Sequence, residues 1–403
     1  MKILHLATTT SGGAGIAARR LNFALVESGL DSFLLTGSKS GADMQPNEEI
    51  SQKRFLDLVK SKVNTVLQRT FVQKDDFLTT LYSVRGITPK QIFERKPDVI
   101  HIHSSYNFIH NDDLLELSSK IPVVITLHDE RYLTGACHCT LGCEKFLNTC
   151  KNCPQVNRPF QRAVERSKSG KSLFGGANKV LHVICPSEWI QSQLKKSTYS
   201  SHVKTYVVRN PISHQMTSWK ELRNSTANPN ENYIVTFVAQ NLFNGYKGLD
   251  TLLQCIRDYS LEFKSNKVAF KFVGAGPSID IGDLKVEQKN FVREDEIQEV
   301  FYNSDLLIVP SLTDNSPNVI FEALACGIPF VCSDRAGLPE LALEFGMNIF
   351  KFGDSRSIFE AILRQKNAII NAHELREHAL NKASPQIVAT TMAEIYREIL
   401  ASS

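Results

Sequence analysis

The sequence predicts an α/β protein built from two doubly wound parallel sheets. Short β-branched runs alternate with helical patterns along the 403 residues, which is typical of buried parallel strands connected by helices. The alternation occurs twice, on either side of a polar stretch at 221–232 that is rich in Asn, Ser and Pro. Such a stretch is typical of a linker. We therefore expect one domain over residues 1–210, a second over 211–385, and a last helical pattern at 386–403.

The predicted elements follow this alternation in chain order. An apolar run at 3–7 is followed by a glycine turn and an amphipathic helix at 14–28. The other strand candidates of the first half are 32–36, 99–103, 123–128, 180–185 and 204–209. Those of the second half are 233–239, 268–273, 289–292, 306–309 and 330–332. Because ligands of open parallel sheets bind at the carboxyl ends of the strands, the residues after each strand are the candidates for function.

The composition excludes several classes of protein. With 42% hydrophobic and 22% charged residues, the chain is neither collagen-like nor disordered, and no apolar run approaches the roughly 18 residues that span a bilayer. The start of the sequence is too short and too soon polar for a signal peptide, so we expect a cytoplasmic protein with reduced cysteines. The net charge of +4 hides an asymmetry, since residues 1–211 carry 28 Lys/Arg against 18 Asp/Glu and the remainder 18 against 24.

The strongest motif follows the strand at 306–309. Asn315 or Ser316 can cap a helix there, and Pro317 fits its first position. A helix start after a strand presents N–H groups and a positive dipole to a phosphate. Glu322 lies one turn after Asn318, on the face that such a ligand would meet. The alternative interpretation is a capped helix whose buried glutamate satisfies a nearby backbone amine.

Three further features lie at strand ends of the same half. Lys247 comes shortly after its first strand, Gly274 ends the next one, and Gly337 follows the strand at 330–332. Glycine at such a position lets the backbone approach a ligand or a neighbour closely. Together with the helix start, these features predict a site for a phosphorylated ligand.

At these residues the sequence resembles the retaining glycosyltransferases of family 4, and within them the colanic-acid and capsule type. The resemblance lies in the segment from Pro310 to Pro329, which carries an Asp-x7-Glu form of the family's Glu-x7-Glu region at Asp314 and Glu322. It implies the GT-B fold, in which two Rossmann-like domains face a central cleft. The first domain would bind the acceptor and the second the nucleotide-sugar, and the helix at 386–403 would cross back to the first domain.

The resemblance also assigns roles to single residues of the second half. Glu322 would bind the ribose hydroxyls and Asp314 the hydroxyls of the sugar. Lys247 would neutralise the diphosphate. The family usually has an arginine five residues before this lysine, where this chain has Leu242. The remaining donor contacts are Gly274, Val292 for the base, Ser316, and the amides around Asn318 and Val319.

A glycine loop follows the first strand. Gly12 and Gly13 match the family's Gly-Gly loop, which approaches the donor phosphate or the acceptor. Gly13, Gly15 and Ala18 also fit a dinucleotide-binding pattern. That interpretation requires an acidic residue at the end of the second strand, and the sequence there is Gly-Ser-Lys at 37–39, which counts against NAD.

Histidines end two strands of the first half. A strand histidine is often structural, but His103 and His128 would lie above the ligand-binding edge of the sheet. His128 and Asp129 resemble the His-Asp pair at the family's catalytic centre. We expect His128 to position the transferred sugar and Asp129 to orient its ring. Metal or another cofactor is not expected in the chemistry.

Five cysteines fall between 137 and 153. The Cys-x2-Cys pair at 150 and 153, with two upstream cysteines, offers enough ligands for a tetrahedral zinc ion. Structural zinc, disulfides and free thiols are the three interpretations that the sequence leaves open. The pattern of the colanic-acid type matches Cys137, Cys143, Cys150 and Cys153, and leaves Cys139 extra. A metal here would hold a loop after His128 and would not perform chemistry.

Two basic segments bear on partners. Residues 51–78 have apolar positions on one helical face and lysines and arginines on others, which suits peripheral contact with an anionic bilayer at the inner face of the cell membrane, where a lipid-linked acceptor resides. The alternative is a helix packed on the first sheet. The basic stretch at 158–171 lacks aromatic interleaving beyond Phe160, so nucleic acid is not expected.

These observations predict a glycosyltransferase. It would move a sugar from a UDP- or GDP-linked donor to a glycan or lipid-linked glycan, with retention, in surface polysaccharide biosynthesis. One alternative is a non-catalytic protein that binds nucleotide-sugars or glycans on the same scaffold. Others are a sugar-nucleotide epimerase and a phosphorylase, although no motif for a pyridoxal lysine stands out.

Overall fold

The computed structural model describes residues 1–38, 45, 47–51, 71, 79–81, 85–106, 108–172, 181–198, 203–218, 222, 232–290, 293–294 and 296–402. The chain divides into two compact units. The first unit comprises Met1–Asn210 with Pro385–Ser403, and the second comprises Pro211–Ser384. No helix among these described residues is both long and apolar enough to cross a bilayer.

The first unit is built on a parallel sheet. Within its described part the sheet has seven strands in the order β3-β2-β1-β4-β5-β6-β7. The strands are β1 (Lys2–Ala7), β2 (Asp31–Thr36), β3 (Glu48–Ile50), β4 (Val99–Ile102), β5 (Val123–Thr126), β6 (Leu181–Cys185) and β7 (Val203–Val207). The helices between them are α1 (Gly12–Glu27), α2 (Pro89–Phe93), α3 (Asn111–Lys120), α4 (Gln161–Ser172) and α5 (Glu188–Lys196).

The second unit repeats this plan. Its described residues form six parallel strands in the order β10-β9-β8-β11-β12-β13. The strands are β8 (Tyr233–Asn241), β9 (Val268–Ala275), β10 (Val286–Lys289), β11 (Leu306–Val309), β12 (Phe330–Ser333) and β13 (Asn348–Phe350). The helices are α6 (His214–Ser218), α7 (Leu249–Asp258), α8 (Ser260–Ser265), α9 (Ile297–Tyr302), α10 (Asn318–Ala325), α11 (Leu338–Glu344), α12 (Ser355–Lys366) and α13 (Ala372–Ala383).

The last helix, α14 (Pro385–Ala401), belongs to the first unit. Its buried face includes Val388, Met392 and Tyr396, which join the apolar cluster formed by Leu21 and Leu25 of α1 on one side of the sheet. The apolar face of the helix therefore packs on the first sheet, although the 174 residues of the second unit precede the helix in the chain.

Both strand orders reverse direction at a defined point. Chain order runs outward from β1 to β3 and then from β4 to β7, so the switch lies between β1 and β4; in the second unit it lies between β8 and β11. Loops at the carboxyl ends of such neighbouring strands diverge and leave a crevice for a ligand. The loops after β1, β4, β8 and β11 are therefore where each unit is expected to bind.

The predicted strands agree with this structure except at the sheet margins. The strands β3 and β13 were not predicted, because three residues are too few to show a period. The expected strand at 289–292 was misplaced: the structure pairs Val286–Lys289 with β9, and 291–292 lie outside the described residues. Of the segment 51–78, the structure describes Ser51 and Phe71, so the expected amphipathic helix lies outside the described residues.

Candidate active site

In the second unit the loops after β8 and β11 meet. Lys247 ends a short 3₁₀ turn, Gly245–Lys247, after β8, and its Nζ lies 2.6 Å from Oδ2 of Asp314 in the loop after β11. The backbone N–H of Leu312 donates to the carbonyl of Tyr246 at 2.8 Å, which ties the two loops together. A lysine and a carboxylate are thus held at the switch point of this sheet, where a ligand of either charge finds a counter-charge.

The helix α10 begins immediately beyond this ion pair. Pro317 occupies the position before the first helical residue and provides no side-chain cap. This differs from our expectation that Asn315 or Ser316 caps the helix and Pro317 lies inside it, because the chain turns into the helix one residue later. The hydroxyl of Ser316 is buried and has no hydrogen-bond partner among the described residues. Since an unsatisfied hydroxyl is costly to bury, this atom is available to a polar group that enters at the helix start.

The other predicted donor residues lie on or near the same helix. Val319 is half-buried in the first turn, and Glu322 follows Asn318 by one turn with only 8% of its surface exposed. Leu242, where the family usually has an arginine, is fully buried in the core and carries no charge to a ligand. Val292 lies outside the described residues.

The glycines at the strand ends are explained by packing inside the second unit. A Cβ on Gly274, at φ +149°, would lie 1.8 Å from the carbonyl oxygen of Ala239 on the neighbouring strand. A Cβ on Gly337 would lie 1.9 Å from the carbonyl of Asn315. Gly274 is therefore required by β8 whether or not a ligand approaches it, and Gly337 holds the loop that carries Ser316.

In the first unit a row of histidines extends across the sheet. Nδ1 of His5 on β1 and Nε2 of His103 share a hydrogen bond of 3.0 Å, and Nδ1 of His103 and Nε2 of His128 share one of 3.1 Å. His101 on β4 contacts the hydroxyl of Tyr396 at 2.5 Å and that of Thr126 at 2.7 Å. His103 and His128, predicted from strand ends, are thus joined by a hydrogen bond. His5 extends the row through its bond to His103, and His101 lies beside the row with Tyr396 as its partner.

Burial keeps these rings neutral. It lowers the pKa of His5 to about 3 and that of His128 to about 4, with Asp129 acting in the opposite direction on His128. The pKa values of His101 and His103 lie well below 6.5, first because of burial and then because of the neighbouring histidines. Near pH 7 the row therefore offers neutral imidazoles, which suit hydrogen bonding to hydroxyl groups more than charge pairing.

Asp129 has a different partner from the one we expected. Its Oδ2 accepts from Nδ1 of His138 at 2.7 Å, and its Oδ1 accepts the backbone N–H of Arg131 at 2.9 Å. Burial raises the pKa of Asp129, but the charges and hydrogen bonds of His138 and Arg131 together outweigh it, and the net shift of the pKa is downward. The ring of His128 is oriented by His103, while Asp129 anchors the following loop through His138.

The glycine loop after β1 opens α1. Gly12 has φ +71° and is the first residue of the helix, and a Cβ on Gly13 would meet no atom within 4 Å. Gly15 differs, because a Cβ there would lie 2.3 Å from the carbonyl of Thr9. Gly13 thus borders open space at the switch point of the first sheet, whereas Gly15 is required for packing. After β2 the described chain continues as Gly37 and Ser38, with no acidic residue there to hold a ribose.

Sequence reasoning missed the supporting histidines. His5 lies inside the apolar strand β1, and the parallel register that sets it beside His101 is a tertiary fact. The bond between His101 and Tyr396 joins residues 295 positions apart. The alternation of His101 and His103 on one strand was the available signal, since residues two apart point to the same face.

Comparison with known proteins places the chain in a family. The family model described as Glycosyltransferase Family 4 matches residues 11–215, and that described as Glycosyl transferases group 1 matches residues 232–366. Among curated relatives, the putative teichuronic acid biosynthesis glycosyltransferase TuaC of Bacillus subtilis is 25% identical over 73% of this chain and 67% of its own. The putative colanic acid biosynthesis glycosyl transferase WcaC of Escherichia coli is 23% identical, with 83% of each chain covered.

Solved structures confirm the fold class. Sucrose-phosphate synthase from Thermosynechococcus elongatus superposes over all of both chains with a TM-score of 0.66 at 15% identity. HepE from Anabaena, solved in complex with UDP-glucose, covers 99% of this chain and 100% of its own with a TM-score of 0.59 at 18% identity. At such identities the likeness concerns the fold, which is the expected GT-B class of two doubly wound parallel-sheet domains. Because the first family model alone spans half of the sequence, the chain belongs to glycosyltransferase family 4, the family that the Asp314–Glu322 motif predicted.

Proposed function

We propose that the protein transfers a sugar from a nucleotide-sugar to a glycan or a lipid-linked glycan, with retention at the anomeric carbon, in the synthesis of a surface polysaccharide. The observation that carries this proposal is the uncapped start of α10, where the buried Ser316 hydroxyl has no partner among the described residues, two positions beyond the Lys247–Asp314 pair. The names of TuaC and WcaC, and the UDP-glucose complex of HepE, support the substrate class.

The second unit would bind the donor. A diphosphate at the start of α10 would meet the positive end of the helix dipole and the amides near Asn318 and Val319. The Ser316 hydroxyl would donate a hydrogen bond to it. Lys247 would exchange its bond with Asp314 for a phosphate oxygen. Asp314 would then be released to accept hydroxyls of the sugar, and Glu322 would accept those of the ribose, so one rearrangement would couple phosphate and sugar recognition.

The first unit would bind the acceptor. The open space beside Gly13 leaves room for a ligand, and His128 would hold a sugar hydroxyl as a neutral imidazole. The excess of 28 Lys/Arg over 18 Asp/Glu in residues 1–211 suits an acceptor at an anionic surface such as the inner face of the cell membrane.

Removing the donor contacts tests this function. The purified protein is incubated with a panel of UDP- and GDP-sugars, and binding, donor hydrolysis and transfer are measured. Lys247→Ala and Glu322→Ala are each expected to weaken binding of the accepted donor by roughly 10- to 100-fold, because each removes one charge-assisted hydrogen bond. Lys382→Ala, which breaks a comparable ion pair with Glu344 at 3.0 Å, serves as the control.

Two results would contradict the proposal in different ways. If no nucleotide or nucleotide-sugar binds, the assignment of the donor site is wrong. If a donor binds but is neither hydrolysed nor transferred with any glycan or lipid-linked acceptor supplied, the non-catalytic alternative is favoured.

A second prediction concerns His103 as a positioning residue for His128. His103→Leu removes the 3.1 Å bond to His128 and is expected to lower kcat about 5- to 10-fold with little change in the donor KM, since one neutral hydrogen bond contributes about 1 kcal/mol. His103→Asn keeps a polar atom near the Nδ1 position and should restore most of kcat. Equal losses in both variants, or a change confined to KM, would show that His103 does not act through His128.

A further inference from the structure

Four of the five clustered cysteines line one small cavity of the first unit. Its walls include Cys137, Cys143, Cys150 and Cys153, together with Phe146 and Pro154 among others. Cys139 is not among them; its carbonyl instead accepts a hydrogen bond from the Gln155 side chain at 2.8 Å. The fold thus separates the four cysteines from the fifth and turns them toward a common space.

Backbone amides are directed at two of the sulfurs. The N–H of Gly135 donates to Sγ of Cys150 at 3.3 Å. The N–H groups of Gln155 and Val156 donate to Sγ of Cys153. Amides that donate to a sulfur in this way fix its position, as outer hydrogen bonds do for metal ligands.

The segment between the cysteines has little structure of its own. It contains the short 3₁₀ helix Glu144–Leu147 and several turns, with Leu141, Cys150 and Asn152 at positive φ between 54° and 57°. Left-handed backbone is strained for residues other than glycine, and least so for asparagine. Three such residues within twelve positions persist only where something fixes the loop, and the apolar contacts of Phe146 supply part of that constraint.

No disulfide joins any two of the nine cysteines in the structure. Among the described residues, the ligand atoms of His5, His101 and His103 all lie within 4.8 Å of one another, and no three of the clustered sulfurs do. The sulfurs therefore stand farther apart than in a metal-loaded site. That histidine group is itself occupied by internal hydrogen bonds, with both ring nitrogens of His101 engaged. The cysteine pocket, in contrast, has a cavity between its ligands.

We propose that Cys137, Cys143, Cys150 and Cys153 bind one zinc ion in a tetrahedral, structural site. Four sulfur ligands are the donor set of closed zinc sites, and Zn²⁺ imposes tetrahedral geometry without redox chemistry. Binding would draw the sulfurs to about 2.3 Å from the metal and release the thiol protons to solvent. The site would leave no coordination position for a substrate.

The consequence for the enzyme lies in the loop that follows His128. Asp129 is bonded to His138, and both the backbone N–H and the hydroxyl of Thr140 donate to the carboxylate of Glu130. These partners flank Cys137 and Cys139, so a metal at the pocket would fix the residues next to His128 from the far end of the loop. This inference does not depend on the proposed sugar transfer, and metal content tests it separately.

The test is metal analysis of the full chain purified without chelators. We expect about one zinc per chain in the wild type and in Cys139→Ser, and a loss of most of it in Cys143→Ser and Cys153→Ser. Reconstitution with Co²⁺ provides a second measurement that does not depend on the folding of a variant. It should give intense visible d–d bands and a near-ultraviolet sulfur-to-cobalt charge-transfer band in the wild type and in Cys139→Ser.

Three results would overturn the proposal. They are a wild type without stoichiometric metal and without the cobalt spectrum, zinc retained in Cys143→Ser and Cys153→Ser as in Cys139→Ser, and a stoichiometric metal other than zinc. Counting reactive thiols after denaturation without reductant identifies the disulfide alternative, since each bridge removes two of the nine thiols that the sequence supplies.

Discussion

Mild acid is expected to destabilise the first unit strongly. His5, His101 and His103 are at most 3% exposed, and burial lowers the pKa of each well below 6.5. Such groups stay neutral in the folded protein and take up protons in the unfolded chain, so the stability they allow is present above pH 6.5 and is lost as the pH falls below it. With His128, whose pKa burial also lowers, four rings of the row are involved, and the unfolded chain binds about three protons on them between pH 6.5 and 5.5, which corresponds to about 4 kcal/mol per pH unit.

Glu130 opposes this trend. Burial raises its pKa to about 7, against hydrogen bonds from Thr140 that lower it. A carboxyl with a raised pKa favours the folded state below 4.5 and loses that contribution as the pH rises toward 7. It therefore offsets about one of the three protons between pH 5.5 and 6.5. The net expectation is a loss of about 3 kcal/mol per pH unit, a large part of the roughly 5–15 kcal/mol that stabilises a domain.

Urea unfolding at a series of pH values from about 7.5 to 5.5 measures this slope. His5→Asn preserves a polar atom near Nδ1, which bonds to His103, but does not titrate, so its slope should be smaller by about 1 kcal/mol per pH unit. His110, whose side chain is 40% exposed, provides the control variant His110→Asn. A flat stability in the wild type would mean that the histidine row accepts protons while folded.

Removing the last helix is expected to have the largest effect on stability. A chain that ends before Pro385 loses α14, whose buried side chains include Val388, Met392, Ile395, Tyr396 and Ile399. At about 2 kcal/mol for each buried side chain the loss is about 10 kcal/mol, which is comparable to the stability of a whole domain. The truncation also removes the Tyr396 hydroxyl, which is hydrogen-bonded to Nδ1 of His101. We expect the first unit to be unfolded or insoluble.

Two milder variants separate the causes. Tyr396→Phe removes only the hydroxyl and is expected to cost about 1–3 kcal/mol, the penalty for an unsatisfied buried polar group. Ile387→Ala lies on the exposed face of the same helix, at 46% exposure, and should be nearly neutral. Circular dichroism and thermal unfolding of the purified variants distinguish these outcomes. A truncated chain that unfolds like the full chain would contradict the assignment of α14 to this core.

How much of this could be predicted from the sequence depended on the range of the interactions. The long apolar strands and the helix after β11 have local periods, and so the two sheets and the region of Lys247, Asp314 and Glu322 were predicted. The strand Val286–Lys289 has a single apolar residue, and its position follows from pairing with Phe270 to Val273. The hydrogen bond between Asp129 and His138 depends on how the loop after β5 folds back. Nothing in the spacing of the two residues indicates it.

The discontinuity of the first unit determines when during synthesis its core can close. The second unit is continuous from Pro211 to Ser384 and has all its strands before α14 is made. Most of the first unit is translated earlier, but Ile395, Tyr396 and Ile399, which cover its sheet, follow the whole second unit in the chain. Until then an apolar surface that includes Ile3, Leu21 and Leu25 lacks its cover. The second unit can therefore complete its core before the first does, in contrast to the usual N-terminal-first order of domain folding.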